Sequence, residues 1–449
     1  MHIQDVIDQY HALLTDEIAE EADHEMRAGM RERDLYFGDR PLCLVLRPHF
    51  YFESDWSFLK SGLERLLSAF ARTHSICMEN ADYRALLHLD PYEEELFQLD
   101  RGGPVPWTSS RLDTFYVVDE RSLKVVEYNA ETPAGIGYGD KLAEVFDQLE
   151  PMRRIRERYA IECKPAMGSL HTALMNAYKR WGRTQTPQVA ILDWQEVPTL
   201  NEHRITQVYF EAVGTRTILA DPRELVYRSG QLWKDDFRID LIYKRVLYSE
   251  LIERMGMDNP VVKAIRDRAV FITNSPSAKL MAKKASLAFL SDEQQAHLFT
   301  LEERRAIDAH IPWTRVVAER KTMYGGQEID MVAFIAENKH RLVLKPNDEY
   351  GGKGVVIGWV SSDEAWQEAL KQALETPYVV QERVAIVERA FPIWAEGELS
   401  ITPLYVDADP YVFSGGIVDG CLTRLSPVAL LNVTAGAGSV VPTYIIRQR

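Results

Sequence analysis

Residues 111–135 read RLDTFYVVDERSLKVVEYNAETPAG, in which two apolar stretches flank the polar tetrapeptide DERS. Apolar and β-branched residues on both sides of a short polar turn predict a β-hairpin. Successive side chains of a strand point to opposite faces, so Glu127 and Asn129 share one face. With DERS as the turn, Asp113 lies on the neighbouring strand within cross-strand contact distance of that pair. The hairpin is therefore predicted to bring two carboxylates and an amide together.

Oxygen ligands of this kind are typical of a magnesium site. Mg²⁺ takes a few carboxylate ligands and completes its octahedral shell with phosphate oxygens and water. Arg111 precedes Asp113 by two residues and shares its face, where a guanidinium is placed to brace a phosphoryl group. The alternative is a surface hairpin with ordinary exposed acids, because Asp and Glu are common on solvated strands.

A second segment, residues 342–359, reads LVLKPNDEYGGKGVVIGW. An apolar strand delivers Lys345, a glycine-rich turn follows, and a second apolar strand leaves. Gly351, Gly352 and Gly354 permit positive φ and close backbone approach, so that amide groups can face phosphate oxygens. The pattern is not a P-loop, because the glycines precede a strand and not a helix. The alternative is a glycine-containing hairpin with an incidental lysine.

A third segment, residues 378–384, reads YVVQERV. A strand that ends in polar residues can offer backbone groups to a nucleotide base and a carboxylate to a ribose. By itself, this segment is more simply interpreted as a plain buried strand.

The whole chain has 449 residues, of which 46% are apolar and 27% charged, as expected for a globular protein of two or three domains. The net charge of −15 argues against general nucleic-acid binding but allows a local basic pocket. No apolar run reaches about 18 residues and the N-terminus lacks a signal-peptide core, so a cytoplasmic protein without a membrane partner is expected. The cysteines are interpreted as buried apolar side chains, and they are Cys43, Cys77, Cys163 and Cys421.

Apolar periodicity predicts helices near residues 3–18 and 56–76. Alternating helix and strand patterns over residues 185–270 predict a small doubly wound α/β unit. Ser361-x-x-Glu364 predicts a capping box at the start of a later helix. The expected domains are residues 1–150 with the N-terminal helices and the hairpin, 151–270 with the α/β unit, and 271–449 with the glycine-rich turn and β-rich C-terminal segment.

Together the three segments resemble the ATP-grasp superfamily, whose magnesium signature reads R-x-D … E-x-N-x-x-P-G. The positions that match, with one extra residue before the proline, are Arg111, Asp113, Glu127, Asn129, Pro133 and Gly135. This resemblance implies that Asp113, Glu127 and Asn129 bind the metal ion.

The nucleotide side of the resemblance rests on the other two segments. Lys345 resembles the family's lysine on the first lid strand, and EYGGKGV resembles its glycine-rich lid loop. A further family lysine is similar to Lys284, with Lys283 as the alternative. Glu382 is similar to the adenine-side acid. The other residues assigned to the nucleotide are Gly351, Gly352, Gly354, Val384 and Glu388.

The order of the segments departs from that of ordinary ATP-grasp enzymes, in which the magnesium segment follows the glycine-rich lid. Here the hairpin of residues 111–135 precedes the glycine-rich segment of residues 342–359 by over two hundred residues. This order resembles the circularly permuted ATP-grasp group over most of residues 105–440. The implied fold is mixed α/β and α+β, an ATP-grasp fold with permuted segments and a Rossmann-like substrate domain. In that group the C-terminal strands fold back beside the hairpin, so Arg424 and Asn432 become candidates for phosphate or acylphosphate contact.

The resemblance implies an ATP-dependent ligase that joins a carboxylate to an amine through an acylphosphate, with release of ADP and phosphate. Arg111, Lys345 and Arg424 are the implied catalytic residues, and Mg²⁺ is the implied metal with Mn²⁺ as a substitute. Small-molecule substrates are expected, an amino acid or peptide by analogy. The alternatives are a small-molecule kinase and an ATP-binding protein without turnover. Polar candidates for the substrate site, around residues 190–245, are Glu202, His203, Arg204, Asp240 and Lys244.

Overall fold

A computed structural model describes residues 2–100, 106–429 and 438–447 of the chain. The α-helices are α1 (Ile3–His11), α2 (Asp16–Glu32), α3 (Glu53–Glu79), α4 (Ala81–Ala85), α5 (Pro91–Phe97), α6 (Ile136–Phe146), α7 (Glu150–Arg158), α8 (Met167–Arg180), α9 (Leu200–Ala212), α10 (Tyr248–Met255), α11 (Pro260–Arg266), α12 (Lys279–Ala282), α13 (Ala285–Ser291), α14 (Leu301–His310), α15 (Met331–Glu337) and α16 (Asp363–Glu375). None of the helices in this part of the chain combines the length and apolar character needed to cross a bilayer.

The first half of the chain contains the strands β1 (Tyr36–Phe37), β2 (Arg40–Pro41), β3 (His49–Phe52), β4 (Ser109–Val117), β5 (Ser122–Asn129), β6 (Ala160–Cys163), β7 (Val189–Leu192), β8 (Thr217–Ala220), β9 (Val226–Arg228), β10 (Gln231–Lys234), β11 (Phe237–Ile239) and β12 (Leu241–Lys244). The second half contains β13 (Phe271–Thr273), β14 (Thr314–Val316), β15 (Lys321–Tyr324), β16 (Gln327–Asp330), β17 (Leu342–Pro346), β18 (Val356–Ile357), β19 (Tyr378–Glu382), β20 (Val387–Ala395), β21 (Glu398–Val406), β22 (Asp409–Phe413), β23 (Ile417–Ser426) and β24 (Ser439–Arg447).

The predicted hairpin is formed by β4 and β5, and it belongs to a nine-stranded sheet with the order β20-β21-β23-β22-β4-β5. Strand β24 extends this sheet by pairing with β23, β3 and β6. Strand β22 pairs antiparallel with β4, with Tyr411 opposite Arg111. The C-terminal strands therefore lie beside the hairpin, as the permuted order implies.

Helix α3 supports this sheet and confirms the helix predicted over residues 56–76. Its side chains Leu66 and Phe70 are fully buried, and the Phe70 ring lies 4.6 Å from the ring of Tyr128 on β5. Burial of each such side chain contributes about 1.5–3 kcal/mol relative to exposure. The apolar face of α3 thereby packs against one face of β5. The opposite face of β5, which carries the polar side chains, is left uncovered by this helix.

A second, four-stranded sheet has the order β13-β12-β7-β8, and all of its strands run parallel. It confirms the doubly wound unit predicted for residues 185–270 and extends it to Thr273. The antiparallel meander β9–β11, between β8 and β12, was not anticipated from the sequence. Parallel sheets of this type bind ligands at the carboxyl ends of their strands, where Lys244 lies.

A third sheet, with the order β14-β19-β17-β18, carries the glycine-rich turn between β17 and β18. Helix α16 packs on it through Trp366, which is fully buried. The predicted capping box at Ser361 and Glu364 is wrong. The helix is capped by Ser362, whose hydroxyl accepts the hydrogen bond from the amide of Ala365, and an alanine at that position cannot return the bond. The Ser361 hydroxyl instead donates to the carbonyl of Ile357 at 2.8 Å.

Asp140 ties α6 to the start of α8. Its carboxylate accepts hydrogen bonds from the amides of Ala166 and Met167 at 2.8 and 2.9 Å. Burial raises the pKa of Asp140 to about 6, although these two hydrogen bonds favour the charged form. The folded protein therefore binds this proton more tightly than the unfolded chain does.

Replacement Asp140→Asn is expected to flatten the pH dependence of stability between about pH 4 and pH 6. In the wild type a raised carboxyl pKa contributes stability below the unfolded value, and this contribution is lost as the pH rises through 6. A shift of this size corresponds to about 2–3 kcal/mol. Urea unfolding at several pH values measures the effect, with the exposed Asp308→Asn as the matched control. Parallel curves for wild type and Asp140→Asn would contradict it.

Candidate active site

The hairpin brings its polar residues together as the sequence predicts. Asp113 pairs with Glu127 and Arg111 pairs with Asn129 across the two strands. The register shifts by one residue immediately after Asp113, which is the effect of a β-bulge. The expected cross-strand convergence of two carboxylates and an amide is therefore present.

Asp113 lies at the centre of this group and is 3% exposed. It accepts two hydrogen bonds from the Arg111 guanidinium, at 2.8 and 3.0 Å. Asn129 Nδ2 and Arg424 Nη2 each donate to it at 2.8 Å. Burial alone would raise the pKa of Asp113, but the two guanidinium groups outweigh it and lower the pKa to about 2. Asp113 is therefore a carboxylate at every physiological pH.

Arg424 is held in place by two acids that the sequence interpretation missed. Asp407 accepts hydrogen bonds from the Arg424 backbone amide and from Nε, both at 2.7 Å. Asp409 lies 2.8 Å from Arg424 Nη2. Both acids are buried, and burial raises the pKa of each despite the guanidinium. The sequence signals them only by the tripeptide Asp407-Ala408-Asp409, whose last residue begins β22. Its alternation places the two acids on the same face of the strand.

Lys345 lies opposite the hairpin, on β17. Its Nζ donates to the carbonyl of Val126 at 3.1 Å and to Gln381 Oε1 at 2.7 Å. Burial lowers the pKa of Lys345 to about 8; the carboxylate of Glu127 opposes this shift and the ammonium of Lys284 adds to it. The lysine therefore still carries its positive charge at neutral pH.

Of the two adjacent lysines, Lys284 faces the hairpin and Lys283 does not. Lys284 Nζ lies 2.9 Å from Glu127 and donates to the carbonyl of Glu349 at 2.7 Å. Lys283 is 1% exposed and pairs with Glu93 at 2.7 Å and Asp348 at 2.9 Å. The sequence left open which of these two lysines faces the nucleotide. Their positions differ, since Lys284 lines the cleft and Lys283 does not.

Lys283 also accounts for a group of acids with metal-like spacing, Asp90, Glu93 and Asp348. Its ammonium lies among their oxygens, at 2.7, 2.9 and 3.9 Å. These acids are therefore paired with ammonium groups of the same chain, since Lys279 also lies 3.8 Å from Glu93 and 2.7 Å from Asp348.

The same ion pairs continue to the hairpin through Glu131, which is 5% exposed. Lys279 Nζ lies 2.7 Å from Asp348 and 2.9 Å from Glu131. Glu131 in turn binds Lys244 at 3.2 Å and the amide of Tyr248 at 2.8 Å. Burial favours the neutral form of Glu131, but the two lysines outweigh it and hold its pKa well below the ordinary range. Buried charges thus connect the doubly wound sheet, the hairpin and the glycine-rich turn.

The glycines of this turn adopt the predicted positive φ, at 64° for Gly351, 75° for Gly352 and 70° for Gly354. A Cβ atom at Gly354 would lie 2.7 Å from Pro346 Cγ. Gly351 and Gly352 line the cleft. Gly354 is not among the cleft-lining residues, and it has a conformational role in closing the turn.

These elements flank an open cleft between the hairpin and the β17–β19 strands. One end is charged and contains the hairpin acids, Lys284, Lys345 and Arg424. The walls of the cleft are apolar, and they include Phe115, Val126, Val343, Val355, Ile357, Trp359, Val384 and Ile386. An apolar slot with a charged end suits a ligand that has a flat base and a phosphate chain.

The remaining nucleotide candidates have different positions. Glu382 lines the cleft and accepts a hydrogen bond from Tyr324 Oη at 2.5 Å. Arg383, which the sequence interpretation missed, lines the cleft with its guanidinium 4.4 Å from the Trp359 ring centre. Glu388 is exposed on β20 and does not line the cleft. Asn432 lies outside the described residues.

The candidates for the substrate site do not line this cleft. Glu202 is buried and accepts hydrogen bonds from the amides of Gly135 and Gly137, at 2.8 and 3.2 Å. His203 pairs with a half-buried acid, Asp193, at 2.8 Å. Lys244 pairs with Glu131, Asp240 accepts from the amide of Gln188, and Arg204 is exposed. Glu202, His203, Asp240 and Lys244 thus have structural partners in the described chain.

The donor set at the hairpin fits a divalent cation. Asp113, Glu127 and Asn129 supply carboxylate and amide oxygens, which Mg²⁺ prefers over nitrogen and sulfur ligands. Asp113 needs no deprotonation, because its pKa is already low. The fit therefore rests on oxygen ligands placed next to the charged end of the cleft.

Three comparisons with known proteins agree with this architecture. A family described as "Circularly permuted ATP-grasp type 2" matches residues 92–426. A protein of Frankia casuarinae provisionally named glutamate–cysteine ligase 2-2 is 26% identical over 434 residues, covering 91% of this chain and 47% of that protein. A Frankia alni protein with the corresponding name, 2-3, is 26% identical over 435 residues, with the same coverage of 91% and 47%.

The chain thus spans about half the length of these two curated relatives. Among solved structures, a glutathione synthetase-like effector from Globodera pallida superposes with a TM-score of 0.61 at 14% identity. That comparison covers 96% of this chain and 98% of the other. At this identity it shows a shared fold.

Proposed function

This chain belongs to the circularly permuted ATP-grasp family of type 2, and from that premise we propose that it is an ATP-dependent ligase joining a small-molecule carboxylate to an amine. The observation that carries the proposal is the cleft itself. Lys345, Lys284 and the glycine-rich turn line it on one side, and the hairpin acids with Arg111 and Arg424 line it on the other. These groups come from segments far apart in the sequence.

Each group has a task that follows from its position. Apolar walls take the adenine, while the amides of the glycine-rich turn and the ammonium groups of Lys284 and Lys345 bind the phosphates. Arg111 and Arg424 neutralise the charge that develops as a phosphoryl group is transferred. Asp113, Glu127 and Asn129 would hold Mg²⁺, which supplies charge neutralisation on the phosphate oxygens when bound.

In the proposed reaction, a carboxylate oxygen of the substrate attacks the γ-phosphorus, and the bond from that phosphorus to the β-phosphate oxygen breaks to release ADP. The amine nitrogen then attacks the carbonyl carbon of the acylphosphate. Inorganic phosphate leaves, the amine loses a proton, and an amide remains. Phosphoryl transfer needs alignment and charge neutralisation, so the chain requires no covalent nucleophile.

The test uses a carboxylate labelled with ¹⁸O and hydroxylamine as a general amine. The names of the Frankia relatives make glutamate the first carboxylate and cysteine the first natural amine to try. Release of ADP together with one ¹⁸O atom in inorganic phosphate supports the acylphosphate route. Stoichiometric AMP would exclude it, and a phosphorylated product that accumulates without an amine would indicate a kinase.

The adjacent lysines provide a matched pair for testing the phosphate site. Lys284→Met is expected to weaken Mg-ATP binding about tenfold to a hundredfold, because a hydrogen bond to a charged group contributes about 1.5–3 kcal/mol. Lys283→Met is expected to lower the melting temperature and to leave the affinity for Mg-ATP nearly unchanged, since it removes the buried partner of Glu93 and Asp348. Calorimetry and thermal unfolding of both variants measure the difference. The reverse pattern would mean that Lys283 is the nucleotide lysine.

A further inference from the structure

The carboxylate of Asp113 is saturated with nitrogen donors. Its Oδ1 accepts hydrogen bonds from Arg111 Nε and from Asn129 Nδ2, both at 2.8 Å. Its Oδ2 accepts from Arg111 Nη2 at 3.0 Å and from Arg424 Nη2 at 2.8 Å. The two oxygens of a carboxylate offer about four lone-pair sites, and these bonds use them. A metal ion can therefore bind Asp113 only if a donor gives up its place.

The three donor residues differ in how readily they can leave. Arg111 binds both oxygens of Asp113, and its Nη1 also donates to the carbonyl of Ala134 at 3.0 Å. Such bidentate pairs are stronger and more fixed than single hydrogen bonds. Asn129 makes one bond and can turn its amide to offer oxygen in place of nitrogen. Arg424 also makes one bond, but a guanidinium has donors only and cannot become a ligand. Arg424 is therefore the group that has to leave.

Arg424 has partners that keep it at the cleft when it leaves Asp113. Asp407 accepts hydrogen bonds from the Arg424 backbone amide and from Nε, both at 2.7 Å. Neither bond involves Nη2, which lies 2.8 Å from Asp113 and 2.8 Å from Asp409. The Arg424 side chain is 18% exposed and lines the nucleotide cleft. With Nε held by Asp407, a turn of the guanidinium can carry Nη2 from Asp113 into the cleft.

The signs of the charges couple this movement to the nucleotide. A divalent cation at Asp113 and the Arg424 guanidinium are both positive, and like charges a few ångströms apart repel strongly where water is scarce. Phosphate oxygens are negative, and guanidinium groups bind them with charge-assisted hydrogen bonds. The phosphates thus replace the carboxylate that Arg424 gives up.

We propose that Arg424 and the metal ion are exchange partners at Asp113. The guanidinium leaves this carboxylate for a phosphoryl oxygen as Mg-ATP enters the cleft, and Asp407 keeps its hold on Nε throughout. Arg424 thereby suppresses the binding of a divalent cation without nucleotide, so that metal and nucleotide bind as a pair. This inference rests on the proposed function, because it takes Asp113 as a ligand of the metal ion.

The test measures Mn²⁺ binding to the whole chain without nucleotide by electron paramagnetic resonance, which needs no turnover. Arg424→Met is expected to bind Mn²⁺ about tenfold to a hundredfold more tightly than the wild type, because a hydrogen bond to a charged group no longer competes for Asp113. Lys345→Met removes the same charge from the cleft, but this lysine is bonded to Val126 and Gln381. Its gain in Mn²⁺ affinity should therefore be smaller.

A double variant shows where the ion binds. Arg424→Met leaves Asp407 and Asp409 without their guanidinium, and these acids could themselves attract Mn²⁺. Adding Asp113→Asn to Arg424→Met should remove the gain in affinity if the ion binds at Asp113. If Arg424→Met does not fold, Arg424→Met with Asp407→Asn removes one of the unpaired acids and has the same expected result.

Three results would overturn the exchange. They are unchanged or weaker Mn²⁺ binding by Arg424→Met, an equal gain in Lys345→Met, and a gain that persists after Asp113→Asn is added. A different result would contradict the proposed function itself: a wild type that binds Mn²⁺ neither alone nor together with ADP has no metal site at the hairpin, and the exchange falls with it.

Discussion

Exchange of Lys345 for methionine is expected to reduce Mg-ATP turnover by a factor of about one hundred or more. Its ammonium lies in the wall of the cleft, bonded to Val126 and Gln381. A single preorganised donor in a water-poor site typically contributes about a hundredfold to a thousandfold in rate. Methionine keeps the length and apolar character of the side chain, so the loss reports the charge. ADP release in the presence of a carboxylate and hydroxylamine measures it.

The matched control is Lys321→Met on the β15–β16 hairpin, where the lysine side chain is 69% exposed. This variant should keep wild-type turnover, since an exposed ion pair contributes little. Calorimetric titration with Mg-ATP shows whether Lys345→Met also loses affinity. Turnover by Lys345→Met within about threefold of the wild type would be incompatible with a phosphate-binding role for this lysine.

Glu131→Gln is expected to destabilise the folded chain by about 3–5 kcal/mol, because it leaves two buried ammonium groups without their shared carboxylate. Lys244 is fully buried and Lys279 is 7% exposed at the side chain. Glutamine has nearly the same shape, so the loss is electrostatic and not a matter of packing. Urea or thermal unfolding at neutral pH measures it.

Two further variants test whether the loss of stability in Glu131→Gln comes from its buried ion pairs or from the removal of any carboxylate. Glu162→Gln removes a carboxylate whose side chain is 45% exposed, and it should cost about 1 kcal/mol or less. Lys279 keeps its ion pair with Asp348 in Glu131→Gln, whereas Lys244 loses its carboxylate partner. Adding Lys244→Met removes that uncompensated charge, so the double variant should be more stable than the sum of the single changes implies. Additive losses would mean that Glu131 and Lys244 do not interact in solution.

The ion pairs around Glu131 also bear on how the cleft is assembled. Asp348 precedes the glycine-rich turn, and Lys279 joins it to Glu131 beyond the end of the β4–β5 hairpin. Lys244, at the carboxyl end of β12, completes the connection to the doubly wound sheet. The relative position of the turn and the hairpin is therefore set by charges from three separate parts of the chain.

The sequence by itself determined the features that depend on local physics. Strand alternation placed Glu127 and Asn129 on one face, and the polar turn placed Asp113 opposite them, as the register of β4 and β5 confirms. Gly351, Gly352 and Gly354 were predicted to permit positive φ because glycine lacks a Cβ, and all three adopt it. Helix periodicity identified α3, and the alternation of helix and strand patterns identified the doubly wound unit.

Local signals were less reliable where neighbouring atoms competed for the same group. The capping serine is Ser362, one residue after the predicted position, because the Ser361 hydroxyl binds the carbonyl of Ile357. The carboxylate of Glu202 likewise binds the amides of Gly135 and Gly137, and it does not line the cleft. Such choices depend on contacts that a pattern of residue types does not contain.

Only the tertiary structure decided which charged residues share a partner. It separated Lys284 from Lys283, and it brought Asp407 and Asp409 to Arg424. These pairings join segments that are far apart in the chain, and each depends on how strands and helices pack. The physical reason is that φ, strand alternation and turn chemistry are properties of neighbouring residues, whereas the pairing of buried charges is a property of the packed core.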